Sequence, residues 1–376
     1  MPALSYGTGE IAMDLEERLK ETAGSVGPLN QAAMEQADQY QQKLAKPPGS
    51  LGKLEDIAVR LSGITGKLRN EIQKRRIIVL CADNGVLAEG VACAPASVTA
   101  AQAVNMTKGL TGMSSLARGF DCEVVVADMG IACDYDCPEI RNFSLGKGTR
   151  NLAVEPAMTR EQALTAINTG IQLAEEAFRD HVDIIGVGEM GIGNTTTSSA
   201  VLAALTGSAA EEVTGRGGGL SDEGFARKKA VIREALKTRK PDPEDPVDVL
   251  SKVGGFDLAA MCGVYIGAAR YRIPVVIDGF ISVVAALCAA RICPEAKSYM
   301  FPSHASFEKG YAIAAEELGL SPWFLLDMRL GEGSGCPLAF EIVRAACVIT
   351  NGMATFDGAS INDTYLDEIR EKDEWQ

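Results

Sequence analysis

Histidine is nearly missing from this chain, with only His181 and His304 among 376 residues. The ten cysteines contain no C-x-x-C pair, so the mixed cysteine and histidine sets of structural zinc sites have little to draw on. Cys133 and Cys137, interleaved with Asp134 and Asp136, form the one loop with metal-ligand character, and the expectation is that the chain holds no metal. The cysteines are scattered, mostly within apolar segments, as buried free thiols are. Basic charge is also in deficit: 36 Lys and Arg face 50 Asp and Glu, a net charge of −14. That balance speaks against a nucleic-acid surface or a basic membrane-binding face. The longest apolar stretch, Val275 to Cys288, contains Asp278 and falls short of the ~20 residues of a membrane span. The N-terminal MPALSYGTGEIAMDLEERL lacks the basic and apolar regions of a signal peptide. Together these deficits lead us to expect a cytoplasmic, thiol-state protein that engages neither membrane nor nucleic acid.

Apolar residues make up 47% and charged residues 23% of the chain, enough for a full-sized globular core. Residues to about 72 read as helical, broken at KPPGSLG, where Pro47, Pro48 and Gly49 cannot continue a helix. From Arg76 strands and helices alternate. IIVLCADNG, CEVVVADMG, VDIIGVGE, PVVIDGF and SYMFPSHA read as strands. VTAAQAVNMTKGL, TTTSSAVLAALTG, DLAAMCGVYIGAARY, ISVVAALCAARI, SFEKGYAIAAEELGL and CPLAFEIVRAACVITNGM read as helices. TREQ, from Thr159 to Gln162, is a capping box for a helix to Phe178, and Ser221 is a second cap. PDPEDPVD reads as an exposed linker or turn, and DTYLDEIREKDEWQ as a charged surface tail. The alternation predicts an α/β fold, a mainly parallel sheet with helices on both faces.

Ligands of such sheets sit beyond the strand carboxyl ends. There the sequence places Asp83, Asp128, Glu189, Asp278, His304 and Glu332, five of them acids close to a glycine. Each acid alone has a plain structural use as a helix cap; their convergence suggests a site.

In VDIIGVGEMGIGNTTTSS, glycines 186, 188, 191 and 193 precede Asn194 and five hydroxyl residues. GVGEMG satisfies the dinucleotide pattern G-x-G-x-x-G, which makes an NAD-dependent oxidoreductase an alternative. However, the predicted helix starts too late, and TGSAAEE, about 20 residues on, is no acid-tipped strand end. No GK[ST] follows either, so the loop is not a Walker motif. What remains is a set of N–H donors and hydroxyls at a helix N-terminus, suited to one monophosphate. Lys228 and Lys229 on the next predicted helix are candidate cations, though each also reads as a solvated helix face. The second signal is RLGEGSGC, Arg329 to Cys336. Glycines flanking Glu332 imply a special backbone path holding its carboxylate. Leu330 and Cys336 are candidate desolvating neighbours for a general base.

Several of these segments, in order, resemble the nicotinate-nucleotide:dimethylbenzimidazole phosphoribosyltransferase family of cobamide (vitamin B12) biosynthesis. The resemblance is carried by KPPGSLGKLE, ADNGV, VTAAQAVNM, GEMGIGNTT, VGGFD, DGF, PSHAS and RLGEGSG. It implies a Rossmann-like large domain (73–336) and a small helical domain from residues 1–72 and part of 337–376. It also implies a cofactor-free, metal-free transfer of phosphoribose from nicotinate mononucleotide to an aromatic base. The assembly implied is a homodimer with the active site near the subunit interface, or a heterodimer with a paralogue. By residue, the resemblance implies Glu332 as general base and Glu189 as a second acid near the ribose or departing ring. Gly191, Gly193, Asn194, Thr195, Thr196 and Lys228 match the phosphate cradle, and Asp278 and Ser306 match positions beside the nucleotide. Asn84, Gln102 and Leu330 match the base pocket. Many members have histidine where this chain has Asn84, and a serine near Ala94, so the acceptor base (benzimidazole, phenol, cresol or purine) stays open. A non-catalytic, partner-dependent subunit is the remaining alternative.

Overall fold

The computed structural model describes residues 14–366; the N-terminal stretch read for a signal peptide, up to residue 13, and the tail beyond 366 lie outside it. Asp14 and Asn30 cap α1 (Leu15–Gly24) and α2 (Gln31–Lys43). The KPPGSLGKLE segment is a turn closed by a buried ion pair, Lys46 to Glu55 at 2.7 Å, with Leu51 N donating to Glu55 at 2.9 Å. It leads into α3 (Lys53–Thr65).

The sheet begins with β1 (Arg75–Ala82), buried on both faces as strands of parallel sheets are. It continues through α4 (Ser97–Thr107), α5 (Gly112–Gly119), β2 (Glu123–Gly130), β3 (Arg141–Asn142) and α6 (Arg160–Arg179). Then come β4 (Ile184–Met190), α7 (Asn194–Thr206), α8 (Ala210–Val213), α9 (Asp222–Arg239), α10 (Pro246–Val253) and α11 (Phe256–Arg270). The remainder is β5 (Val275–Ile277), α12 (Phe280–Ile292), β6 (Met300–Pro302), α13 (Tyr311–Glu317) and α14 (Cys336–Gly352). All strand pairs are parallel, in the order β3-β2-β1-β4-β5-β6. The connections therefore reverse direction between β1 and β4, and this switch opens a crevice at the strand carboxyl ends.

The predicted caps are in place: Thr159 and Gln162 form the box on α6, and Ser221 caps α9. PDPEDPVD departs from the linker reading. Asp245 accepts N–H bonds from Val247 and Asp248, and Pro246 opens α10, where proline's missing N–H is harmless. Pro246, Val247, Val249 and Leu250 are buried. The helix read across SFEKGYAIAAEELGL is confined to α13, because residues 306–310 form a loop at the sheet edge. β3 and α5 were not legible as separate elements. β3 is two residues long, and α5 rests on a capping box of Thr111 and Ser114 rather than on a long apolar face.

α2, α3 and α14 pack together, with Gln41 Nε2 donating to Thr350 Oγ1 at 3.0 Å and an antiparallel bridge joining Leu44 to Thr355. Leu61 and Ile64 of α3 belong to the same contiguous core as Ile77 and Val187 of the sheet. No helix among the described residues is long and apolar enough to cross a membrane.

Candidate active site

β4 ends at Met190, and residues 191–193 then cross to the end of β1, where Asn84 N donates to Ile192 O at 3.2 Å. A cavity of about 270 Å³ opens here, lined among others by Glu189, Asn194, Thr195, Gly217, Ser306 and Glu332. A larger cleft of about 790 Å³ lies at the strand amino ends, near Arg69, Phe178, His181 and Tyr271. It holds none of the strand-end acids and no helix N-terminus, so the smaller cavity is the site. Gly186 and Gly188 lie inside β4, paired with Ile77 and Val79. The first two glycines of the G-x-G-x-x-G match are thus strand residues, not the βα turn that a dinucleotide needs, which removes the oxidoreductase reading.

One end of the cavity is cationic. Gly193, at φ +93°, caps α7, and Gly191 rests on the Ala82 carbonyl so closely that a Cβ would overlap it. Lys228 of α9 does not lie on a solvated face. It is 0% exposed, its Nζ donates to Thr195 Oγ1 at 2.8 Å, and it forms no ion pair among the described residues. Burial lowers its pKa to about 8, an effect the Glu308 carboxylate partly opposes. A buried ammonium with a single hydroxyl partner has two N–H donors left to offer an anion. Gly217 and Gly218, in the glycine loop before α9, line the cavity beside it. Thr196 is placed otherwise than the sequence suggested: its side chain is buried beneath the loop, with Oγ1 lacking a hydrogen-bond partner.

The other end is acidic. Gly331, Glu332 and Gly333 run through φ values of +81°, +63° and +90°, a left-handed path that is strained for the one residue with a side chain. Asp278 holds this loop, its Oδ2 accepting from Gly333 N at 3.0 Å and its Oδ1 from Gly335 N at 2.6 Å. The path brings the Glu332 carbonyl against Gly188, where any Cβ would collide with it. Glu332 is 4% exposed. Its Oε1 accepts from Gln102 Nε2 at 3.4 Å and its Oε2 from Met113 N, in α5, at 3.3 Å. Polar donors therefore surround the carboxylate. Leu330 is 56% exposed and does not shield it, while the Cys336 thiol turns toward Val276 O. A Cβ at Gly331 would strike Glu189 Oε1. We therefore expect Gly331→Ala to lower stability by about 1–3 kcal/mol and to cost most of the activity, checked by melting temperature and steady-state rates.

Glu189 stands between the two ends. Its Oε2 accepts from Asn194 Nδ2 and its Oε1 from Glu332 N at 3.3 Å. Burial, then the Asp257 carboxylate, raises its pKa to about 8. The other strand-end acids serve the backbone. Asp83 accepts from Thr99 Oγ1 and Ala132 N, and Asp128 from Gly130 N and Ile131 N. Asp278, raised by burial to about 7, anchors this loop and also lines the cavity. Asn84 lies behind the phosphate loop, with Nδ2 on Ala82 O and Oδ1 near Thr197, instead of lining the cavity. His304 stays neutral, its pKa lowered by burial to about 4, and stacks on Phe324. Ser306 and Gln102 line the cavity. Among the described residues no three His, Cys, Asp or Glu side chains group as a metal site.

A phosphoribosyltransferase family model matches residues 26–361. The chain is 51% identical over 330 residues to a nicotinate-nucleotide–dimethylbenzimidazole phosphoribosyltransferase of Clostridium perfringens, covering 88% of this chain and 91% of that one. The chain belongs to this phosphoribosyltransferase family. A member from Clostridium tetani is 45% identical over 355 residues, 94% of this chain and 98% of its own. The crystal structure of CobT from Thermus thermophilus superposes with a TM-score of 0.85 at 37% identity, covering 88% of this chain and 99% of that chain. Within the family frame, three features of this site escaped the sequence reading: the Gly217–Gly218 wall, the Met113 N–H and the buried Asp257. The glycine run RGGGL and the Thr111 cap were visible signals for the first two, whereas Asp257 in GGFD carries no pattern separating it from an ordinary helix start.

Proposed function

We propose that the chain transfers the 5-phosphoribosyl group of nicotinate mononucleotide to an aromatic lower-ligand base, giving nicotinate and an α-ribosyl base phosphate. The observation that carries this reading is Lys228, a fully buried ammonium whose one hydrogen-bond partner among the described residues is Thr195, set behind the Thr195 and Gly217 wall of the cavity that Glu332 also lines. Lys228, Thr195, the α7 N-terminus and the Gly217–Gly218 wall bind the 5′-phosphate. That anchor aims the anomeric carbon toward the acidic end. The bond to the pyridinium nitrogen breaks with its electron pair returning to the ring, so the leaving group needs no proton there. The acceptor nitrogen attacks from the opposite face, inverting the β-linkage, and its N–H proton passes to Glu332. Glu189 faces the ribose and the departing ring. Gln102 and Leu330 border the acceptor.

The family's two-domain organisation is part of this reading, with α2, α3 and α14 as the small unit. So is assembly with a second copy, for which the exposed apolar Phe307, Leu325, Leu326 and Leu330 give a surface beside the site. The test is incubation of the purified protein with nicotinate mononucleotide and, separately, dimethylbenzimidazole, phenol, p-cresol and adenine. Release of nicotinate with a ribosyl-base phosphate is expected for at least one acceptor. No product with any of them would sink the reading.

A further inference from the structure

Asp257, at the start of α11, is 0% exposed and has no part in the reaction as described. Its Oδ1 accepts from the adjacent Leu258 N at 2.9 Å, and its Oδ2 from Asn194 Nδ2 at 3.2 Å. The same Asn194 amide donates to Glu189 Oε2. One NH₂ group thus bridges two carboxylates, one in the cavity wall and one behind it. On the reading of the reaction given above, we propose that Asp257 is a positioning residue that acts through Asn194 to hold Glu189 in place and keep it protonated against the ribose and the departing ring.

The geometry accounts for both effects. An asparagine amide facing a protonated carboxyl alone could flip and accept its O–H; facing the Asp257 carboxylate as well, a flip would set its oxygen against that charge. Asp257 therefore locks the amide orientation, and with it the Glu189 rotamer. The electrostatics work in the same direction. Around Glu189 stand Asp257 from α11, Asp278 after β5 and the Cys81 thiol of β1, with Asn194 of α7 and the Glu332 N–H as donors, while Asp83, after β1, acts on Asp257. Neither Glu189 nor Asp257 has a Lys or Arg ion pair among the described residues. With no cation present, adjacent acids share protons instead of both ionising. Burial raises Asp257 itself to about 7.

The test is the pH profile of kcat at saturating nicotinate mononucleotide, where the bound phosphate keeps Lys228 charged, in wild type, Asp257→Asn and Glu189→Gln. In wild type we expect a basic limb near pH 8 as Glu189 loses its proton. Asp257→Asn removes the neighbouring charge, so the limb should move to lower pH, with a loss of about tenfold in kcat at pH 8. In Glu189→Gln that limb should vanish. A purely structural role for Asp257 would lower the melting temperature and leave the limb in place, and an unmoved limb in a folded variant overturns the proposal. Should Asp257→Asn not fold, carboxyl ¹³C titration of the wild type decides. Glu189, assigned by its loss in Glu189→Gln, should titrate near pH 8 with a second inflection near 7 from Asp257. A single inflection in the ordinary carboxylate range overturns the proposal. A wild type inactive with every acceptor removes the reaction reading and this inference with it. An active wild type with an unmoved limb removes only the inference.

Discussion

Glu332→Gln is expected to lower kcat by about 10²–10⁴-fold with KM for nicotinate mononucleotide nearly unchanged. Glutamine keeps the volume, can still accept the Met113 N–H and tolerates the same backbone path at φ +63°. It cannot take a proton. The phosphate anchor is at the other end of the cavity, around Lys228 and Thr195, so ground-state binding of the nucleotide should survive. Removing a group that acts only in the transition state lowers kcat and kcat/KM together. Steady-state kinetics with the preferred acceptor in excess check this. A variant that keeps most of kcat would mean that another group, or the solvent, takes the acceptor proton.

Lys228→Met should do the reverse, raising KM for nicotinate mononucleotide by about 10²-fold while making the protein more stable. In the unliganded protein the buried ammonium is desolvated, and its pKa falls from 10.5 to about 8. That depression corresponds to a stability penalty of about 3 kcal/mol at neutral pH. The sign follows from proton counting. Between pH 8 and 10.5 the unfolded chain binds more protons at this group than the folded one, so this group's contribution to stability rises with pH across that window and is least favourable below it. Methionine fills nearly the same space without the charge, so the melting temperature at pH 7 should rise. Bound phosphate restores the partner the ammonium lacks. In wild type, KM should therefore climb above pH 8 as the free enzyme loses this charge, and in the variant that climb should be absent. Calorimetry and KM measured from about pH 6.5 to 9.5, a range that brackets the shifted lysine, test both halves. A destabilised variant with unchanged KM would remove Lys228 from the phosphate site.

Much of this was legible because the signals are local. Parallel strands buried on both faces read as continuous apolar runs, and Thr159, Ser221 and the glycines around Asn194 and Glu332 mark turns and caps whose chemistry acts within a few residues. The acids at the strand ends were legible as a set but not in their roles. Asp83 and Asp128 turn to backbone N–H groups away from the cavity, Asp278 holds the 331–335 loop while also lining it, and Glu189 and Glu332 face it. Which way a strand-end carboxylate turns depends on loops arriving from elsewhere in the chain, 57 residues away for Asp278 and Gly335. Asn84 illustrates the same limit: its motif was plain, but the crossing of residues 191–193 covers it.

By itself, the sequence determined the α/β class, the family and the glycine paths at 191–193 and 331–333, and it pointed to Glu332 and Lys228 as the acid and the cation of the proposed chemistry. These follow from residue type and short-range spacing. Only the tertiary structure decided that β1 and β4 meet at the switch, that Lys228 is buried rather than solvated, that polar donors and not Leu330 surround Glu332, and that Asp257 stands behind Glu189. Burial and charge balance are properties of what packs around a group. Here the packing partners come from α5, α7, α9 and α11, segments that no local pattern in the chain brings together.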